Sequence, residues 1–197
     1  MNTAAYPIEC KETVEINGSR QNIRIRGTDP SNPILLFLHG GPGICDRHTV
    51  LKYQSELADI CTVVCWDQRG AGLSYNAKTA KTEHLHIADM VEDAAAVIRY
   101  LNERFGKQKV SVVGHSWGSI LGVLLAQKYP ELIESYIGMG QFVSGAQNEL
   151  LSYQFTVQQA ASRHDDKAMQ ELSRIGAPQD GRYASLKGMQ IQRKYLS

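Results

Sequence analysis

Gly114-His115-Ser116-Trp117-Gly118 stands between an apolar run, Val110 to Val113, and a stretch from Ser119 to Tyr129 that is apolar nearly all round. The run suits a strand buried on both faces, and the stretch suits a helix packed on a sheet and ended by Pro130. The five residues fit G-x-S-x-G. A serine forced into so tight a strand-to-helix turn needs neighbours without a Cβ, and its hydroxyl is then presented at the carboxyl edge of the sheet beside a helix N-terminus. The bland alternative is a glycine-rich turn with an incidental serine. A strand before and a helix after favour the other reading, an exposed nucleophile at Ser116.

Outward from this turn, Ile34 to Leu38 and Cys61 to Trp66 are two more continuous apolar runs of the kind that mark central parallel strands. Between them and the turn, Ile87 to Phe105 places Ile87, Val91, Ala94, Ala95, Ile98 and Leu101 on one helical face, and Gly106 stops it. Thr13 to Ile16 alternates, Asn17-Gly18 is a hairpin turn, and Ile23 and Ile25 resume the period of two. Glu134 to Gly140 is a sixth strand, expected to be left as an unprotected edge. Beyond Gln147 only helical signals remain. They are Leu150, Leu151, Phe155 and Val157, then Met169, Leu172 and Ile175 behind the Asp165-Asp166 start, then Tyr183 to Leu196. Strand and helix in alternation, followed by helices alone, predict an open, mostly parallel α/β sheet over residues 1–145 and a helical appendage over residues 146–197.

The bulk composition agrees with an ordinary globular protein. The chain has 197 residues, 43% of them hydrophobic and 21% charged, which is far from the regime of disorder. Lys and Arg number 21 against 20 Asp and Glu, so no global field steers the chain toward nucleic acid or an anionic membrane. No apolar stretch approaches the roughly 20 residues that cross a bilayer, and Met1 to Cys10 carries no signal-peptide run, which makes the cytoplasm the expected location. Cys10, Cys45, Cys61 and Cys65 are irregularly spaced and read as reduced thiols, with neither a metal site nor any cofactor expected.

A second constellation, His39-Gly40-Gly41-Pro42-Gly43, follows the Ile34 to Leu38 strand directly. In acyl transfer the carbonyl oxygen becomes an oxyanion, and preorganised backbone N–H groups at about 3 Å stabilise it. The donors expected here are the N–H of Trp117 and the N–H of Gly41, because Pro42 has none to give.

HGGPG, then Trp66-Asp67-Gln68-Arg69-Gly70-Ala71-Gly72-Leu73-Ser74, then GHSWGS, in that order, resembles the serine aminopeptidases of the α/β-hydrolase fold, the prolyl iminopeptidase family. The resemblance covers roughly residues 10 to 145. It implies removal of an N-terminal residue, typically proline, from a small peptide or amino-acyl substrate through an acyl-enzyme. It assigns Ser116 as nucleophile, Gly41 and Trp117 as oxyanion donors, and His39, Gly40 and Gly43 as the oxyanion loop. Asp67 and Arg69 enter as structural supports, expected to pair with each other.

A serine also needs a histidine base and an acid that orients it. The resemblance puts that acid and histidine after a seventh and eighth strand, whereas six strands are legible, and the chain stops inside what reads as a helical cap. The isolated chain is therefore expected to be nearly inactive. Glu149 and His164 follow Ser116 in the right order, but Arg163-His164-Asp165-Asp166 reads as a solvated helix start. His115 is expected to point away from the nucleophile, His39 to make a structural hydrogen bond, and His84 and His86 to lie on the surface; Cys45 reads as a small residue lining the pocket. Two other classes stay open, an esterase or amidase of the same fold and a non-catalytic remnant that only binds. Dehalogenases and epoxide hydrolases fit poorly, since those relatives carry an aspartate at the elbow.

Overall fold

A computed structural model of the chain describes residues 6–79 and 85–196. Asn17 and Gly18, both at positive φ (45° and 73°), form a tight turn joining β1 (Ile8–Ile16) to β2 (Ser19–Gly27) in an antiparallel hairpin. β2 continues antiparallel onto β4 (Thr62–Asp67). From there β4 pairs with β3 (Ile34–Leu38), β3 with β5 (Val110–His115) and β5 with β6 (Ile133–Met139), all parallel. The sheet order is β1-β2-β4-β3-β5-β6. Every residue of β3 and β4 is buried, which is why both strands are continuous apolar runs rather than alternating ones.

Helices cover both faces. On one, Ile23, Ile25, Leu36, Leu38, Val64 and Trp66 form a single cluster with residues of α2 (Ile87–Phe105) and α3 (Trp117–Lys128), including Ile98, Leu101, Leu121 and Leu125. Burying each such Leu or Ile contributes roughly 1.5–3 kcal/mol. On the other, Leu35, Phe37, Val63, Cys65 and Val113 pack with Val50 of the short α1 (Arg47–Tyr53). Gly106 ends α2 in the left-handed conformation, φ 62°, where a side chain would be strained. β6 lies at the edge of the sheet, and Ile137 and Met139 on it are exposed.

The chain divides into two compact units, Met1–Phe142 and Val143–Ser197. The second holds α4 (Gly145–Ser162), α5 (Asp166–Ile175) and α6 (Leu186–Leu196) around Ala160, Ala168 and Leu172. Ser144 and Asp165 cap the first two, accepting from the N–H groups of Gln147 and Ala168. α6 starts at Leu186, three residues beyond the expected Tyr183, because Ser185 caps it by accepting from the Gly188 N–H. Among the described residues no helix is long and apolar enough to cross a membrane.

Candidate functional site

The elbow turns within one residue. Ser116 sits at φ 51° and ψ −116°, and α3 begins at Trp117, two residues earlier than the helix read from the sequence. Two glycines make this possible. A Cβ on Gly114 would stand 2.7 Å from the Gly118 carbonyl oxygen, and one on Gly118 would run into the Leu38 carbonyl, 2.6 Å from its carbon. The Ser116 N–H donates to the Met139 carbonyl at 2.9 Å, and its own carbonyl accepts from the Ser119 N–H at 2.9 Å and the Ser119 hydroxyl at 2.5 Å. The backbone is thus held on both sides while the residue stays exposed at the carboxyl end of β5.

Trp117 is the first residue of α3, so its N–H has no intrahelical acceptor and the positive end of the helix lies at Ser116. Across from it runs the loop after β3. A Cβ on Gly40 would meet the Ser116 Cβ at 3.2 Å and His115 Nδ1 at 3.4 Å, so the loop and the elbow are in van der Waals contact. Gly41 adopts φ +115° there and Gly43 φ +88°.

His39 is buried and fully used. Its Nε2 accepts from the Gln68 N–H at 3.1 Å, which leaves the proton on Nδ1, 3.0 Å from the Gly40 carbonyl oxygen. Gln68 closes the clamp by donating its side-chain amide to the His39 carbonyl at 3.1 Å. Cys45 lies 3.8 Å from the same Nε2; burial, with Asp67 nearby, pushes its thiol up to about 12, so it stays protonated.

The expected Asp67–Arg69 pair is not formed. Asp67 accepts from Arg47 and from the Leu73 N–H, whereas Arg69 engages Asp93 through Nε (2.7 Å) and Nη2 (2.8 Å). The reason is that β4 ends at Asp67 and Arg69 lies two residues further on, in the turn, where strand geometry no longer sets the direction of its side chain. Asp93 also accepts from Gln21 (2.7 Å) and Asn17 (2.9 Å), and Gln21 in turn accepts from the Trp66 indole at 2.7 Å. Sequence reasoning missed both partners. For Asp93 the signal was present: it is a charge set among the apolar residues of α2, opposite Gln21, a polar residue on the inward face of β2 with Ile23 and Ile25. Arg47 carries no such mark.

His115 is exposed and its Nδ1 lies 3.7 Å from Asp46 Oδ2. Burial pushes the Asp46 carboxyl up, against the opposing pull of His39 and His115. Glu149 belongs to the helical unit, where it is bound by Arg193 at 2.6 Å, and His164 is exposed between α4 and α5. His86 is exposed just before α2, and His84 lies outside the described residues.

A six-stranded mixed sheet with a serine elbow after the third parallel strand invites comparison with known proteins. The profile of the alpha/beta hydrolase fold matches residues 33–187. The chain belongs to the α/β-hydrolase family. Within the family it is 38% identical over 172 residues to the probable aminopeptidase YbaC of Bacillus subtilis, a match covering 87% of this chain and 54% of that protein. It is 31% identical over 115 residues to the proline iminopeptidase of Neisseria gonorrhoeae, covering 58% of this chain and 34% of the relative. Among solved structures, a proline iminopeptidase-related protein from Thermus thermophilus superposes with a TM-score of 0.62 at 22% identity, covering 75% of this chain and 50% of that one, which is a likeness of fold. Epoxide hydrolases are also among the matching relatives. The chain spans about half or less of the length of these curated relatives.

Proposed function

We propose that this chain carries the nucleophile and oxyanion machinery of a serine hydrolase that releases an N-terminal residue, of proline type, from small peptides or amino-acyl substrates. The observation that carries it is the Ser116 turn: an exposed serine at positive φ, with Trp117 opening α3 and Gly40 in contact across the cleft. Ser116 Oγ attacks the acyl carbon, its proton passes to a base, and the amine leaves with a proton as the acyl-enzyme forms. Water then releases the acyl group. The N–H groups of Trp117 and Gly41 receive the developing oxyanion. His39 and Gly40 hold the loop that presents Gly41, and Gly43 lets it turn at positive φ; Asp67 supports the site by tying α1 to the turn after β4, and Arg69 by tying that turn to α2 and the hairpin. His39 is not the base, because both its ring nitrogens are committed within the loop.

The aminopeptidase reading draws on the HGGPG, DQRG and GHSWGS motifs and on the relatives that bear that name. An epoxide hydrolase reading draws on relatives alone, and Ser116 stands where the elbow aspartate would be. The substrate is a small molecule and the expected site of action is the cytoplasm. The test is hydrolysis of proline arylamide and of a simple aryl ester by the protein that contains this chain, before and after Ser116→Ala. Arylamide turnover that falls by about 10³-fold or more supports the proposal. Turnover that survives the substitution overturns it, and cleavage of the ester alone moves the assignment to an esterase.

A further inference from the structure

The near-neutral total charge conceals a local excess. On the α1 side of the β1–β2 hairpin a cavity of about 440 Å³ is lined by Lys11, Arg24, Arg26, Arg47, His48 and Lys52, and among the described residues no carboxylate contributes to its wall. None of Ser116, Gly41 or Trp117 reaches it.

The basic residues come from three elements, β1, β2 and α1, and stand close to one another. Lys11 of β1 stands directly opposite Arg24 of β2, a cross-strand pairing that is destabilising between like charges. Arg26 follows Arg24 on the same face of β2, about 7 Å along the strand. On α1, His48 and Lys52 are four residues apart and share a helical face. Two carboxylates answer part of this charge. Glu9 bridges Arg24 (2.5 Å) and Arg26 (2.6 Å), and Asp67 holds Arg47. Among the described residues, Lys11, His48 and Lys52 have no carboxylate partner within ion-pair distance. Among the described residues Arg24 Nε is buried without an acceptor, so this guanidinium is only partly satisfied by Glu9.

We propose that this cavity binds a soluble anion bearing two or more charges on phosphate-type oxygens. A single carboxylate would leave most of the excess standing. Guanidinium forks and ammonium groups converging from two sides match an anion that accepts along several directions at once. Glu9 shows that the forks of Arg24 and Arg26 take oxyanions, and it competes with the ligand for them.

Pyrophosphate is the probe, titrated calorimetrically into the 197-residue chain, with sodium chloride at matched ionic strength as the control. The expected result is saturable binding that Arg24→Gln weakens about tenfold or more, the loss of one charge-assisted donor. Lys11→Gln, which removes no ion pair and leaves the fold undisturbed, weakens it several-fold. Lys167→Gln, on α5, does not change it. Glu9→Gln strengthens it, because the competing carboxylate is gone. A merely sticky basic surface would respond alike to Lys11→Gln and Lys167→Gln, and that outcome overturns the proposal. So does a response that chloride reproduces, or binding to phosphatidate vesicles without binding to free pyrophosphate.

Discussion

The two units of the chain hold themselves together differently. In Met1–Phe142 the strands and helices approach until main chains touch, and Gly118 lies against the Leu38 carbonyl with no room for a methyl group. In Val143–Ser197 three helices meet around Ala160, Ala168 and Leu172, with Tyr153, Val157, Met169, Ile175 and Tyr195 partly buried against them, and the polar Thr156 and Gln192 are buried beside them. Gln192 donates to Thr156 Oγ1 at 2.7 Å and to Ser152 Oγ at 3.0 Å, so hydrogen bonds supply part of the specificity that packing supplies in the sheet. The difference is one of degree, since a Cβ on Gly181 of the helical unit would also stand 2.8 Å from the Ala146 Cα, but the clash at Gly118 is the tighter one and sits at the elbow.

The largest expected effect follows from that contact. Gly118→Ala forces α3 away from β3 and should destabilise the sheet unit by about 4 kcal/mol or more, in the class of overpacked sites that cannot relax. Urea unfolding followed by the fluorescence of buried Trp66 measures it. A change under about 1 kcal/mol would mean that the elbow is looser than its geometry.

Next in size is Leu172→Ala, in the helical unit, expected to cost about 2–5 kcal/mol because Leu172 is fully buried at the centre of a small cluster. Segment-resolved hydrogen exchange should show α4 to α6 losing protection while β3 to β5 keep it. A uniform loss across both would break the comparison, since the units would then unfold as one.

The same contrast explains what could be read in advance. The sheet unit was legible because its constraints are local and leave marks: Asn17-Gly18 for the hairpin, continuous apolar runs for β3 and β4, Gly106 for the end of α2, and glycines two residues either side of Ser116. Asp93 was marked as a charge among the apolar residues of α2, but that it and Arg47 would be the partners of Arg69 and Asp67 was not legible, because they lie 24 and 20 positions away and spacing within a motif says nothing about that. In the helical unit the caps Asp165 and Gly176 were visible, but the apolar residues that signal α4 misdirect. Leu150, Leu151 and Phe155 are exposed, and the helix buries Thr156 and Ala160.

Glycine itself sharpens the point at smaller magnitude. Gly188 lies in α6, and a Cβ built there meets nothing nearer than Ser185 Oγ at 3.5 Å, an ordinary contact. Gly188→Ala should therefore stabilise the helical unit, by up to about 1 kcal/mol, through restricted freedom of the unfolded chain and better helix propensity. Thermal unfolding read by circular dichroism at a helix-sensitive wavelength tests the sign. Destabilisation would show that α6 packs more tightly at Gly188 than its 3.5 Å clearance from Ser185 Oγ implies.

The smallest effect compares one acid in each unit. Hydrogen bonding from Arg26 chiefly, and from Arg24, holds Glu9 below the usual carboxylate range against the opposing effect of burial; Lys194 and Tyr195 do the same for Glu171. In both cases the folded state gives up its proton more readily than the unfolded one. Each contribution is then fully present above the ordinary carboxylate value of about 4.3 and disappears as pH falls through the lower folded value. Glu9 faces two guanidinium groups and Glu171 a single ammonium, so Glu9→Gln should flatten the acid limb of stability more, by about 1 kcal/mol or less between pH 5 and pH 3. Urea midpoints for both variants across that range decide it. Glu171→Gln producing the larger flattening would mean that the helical unit, and not the hairpin, carries the electrostatic part of the stability.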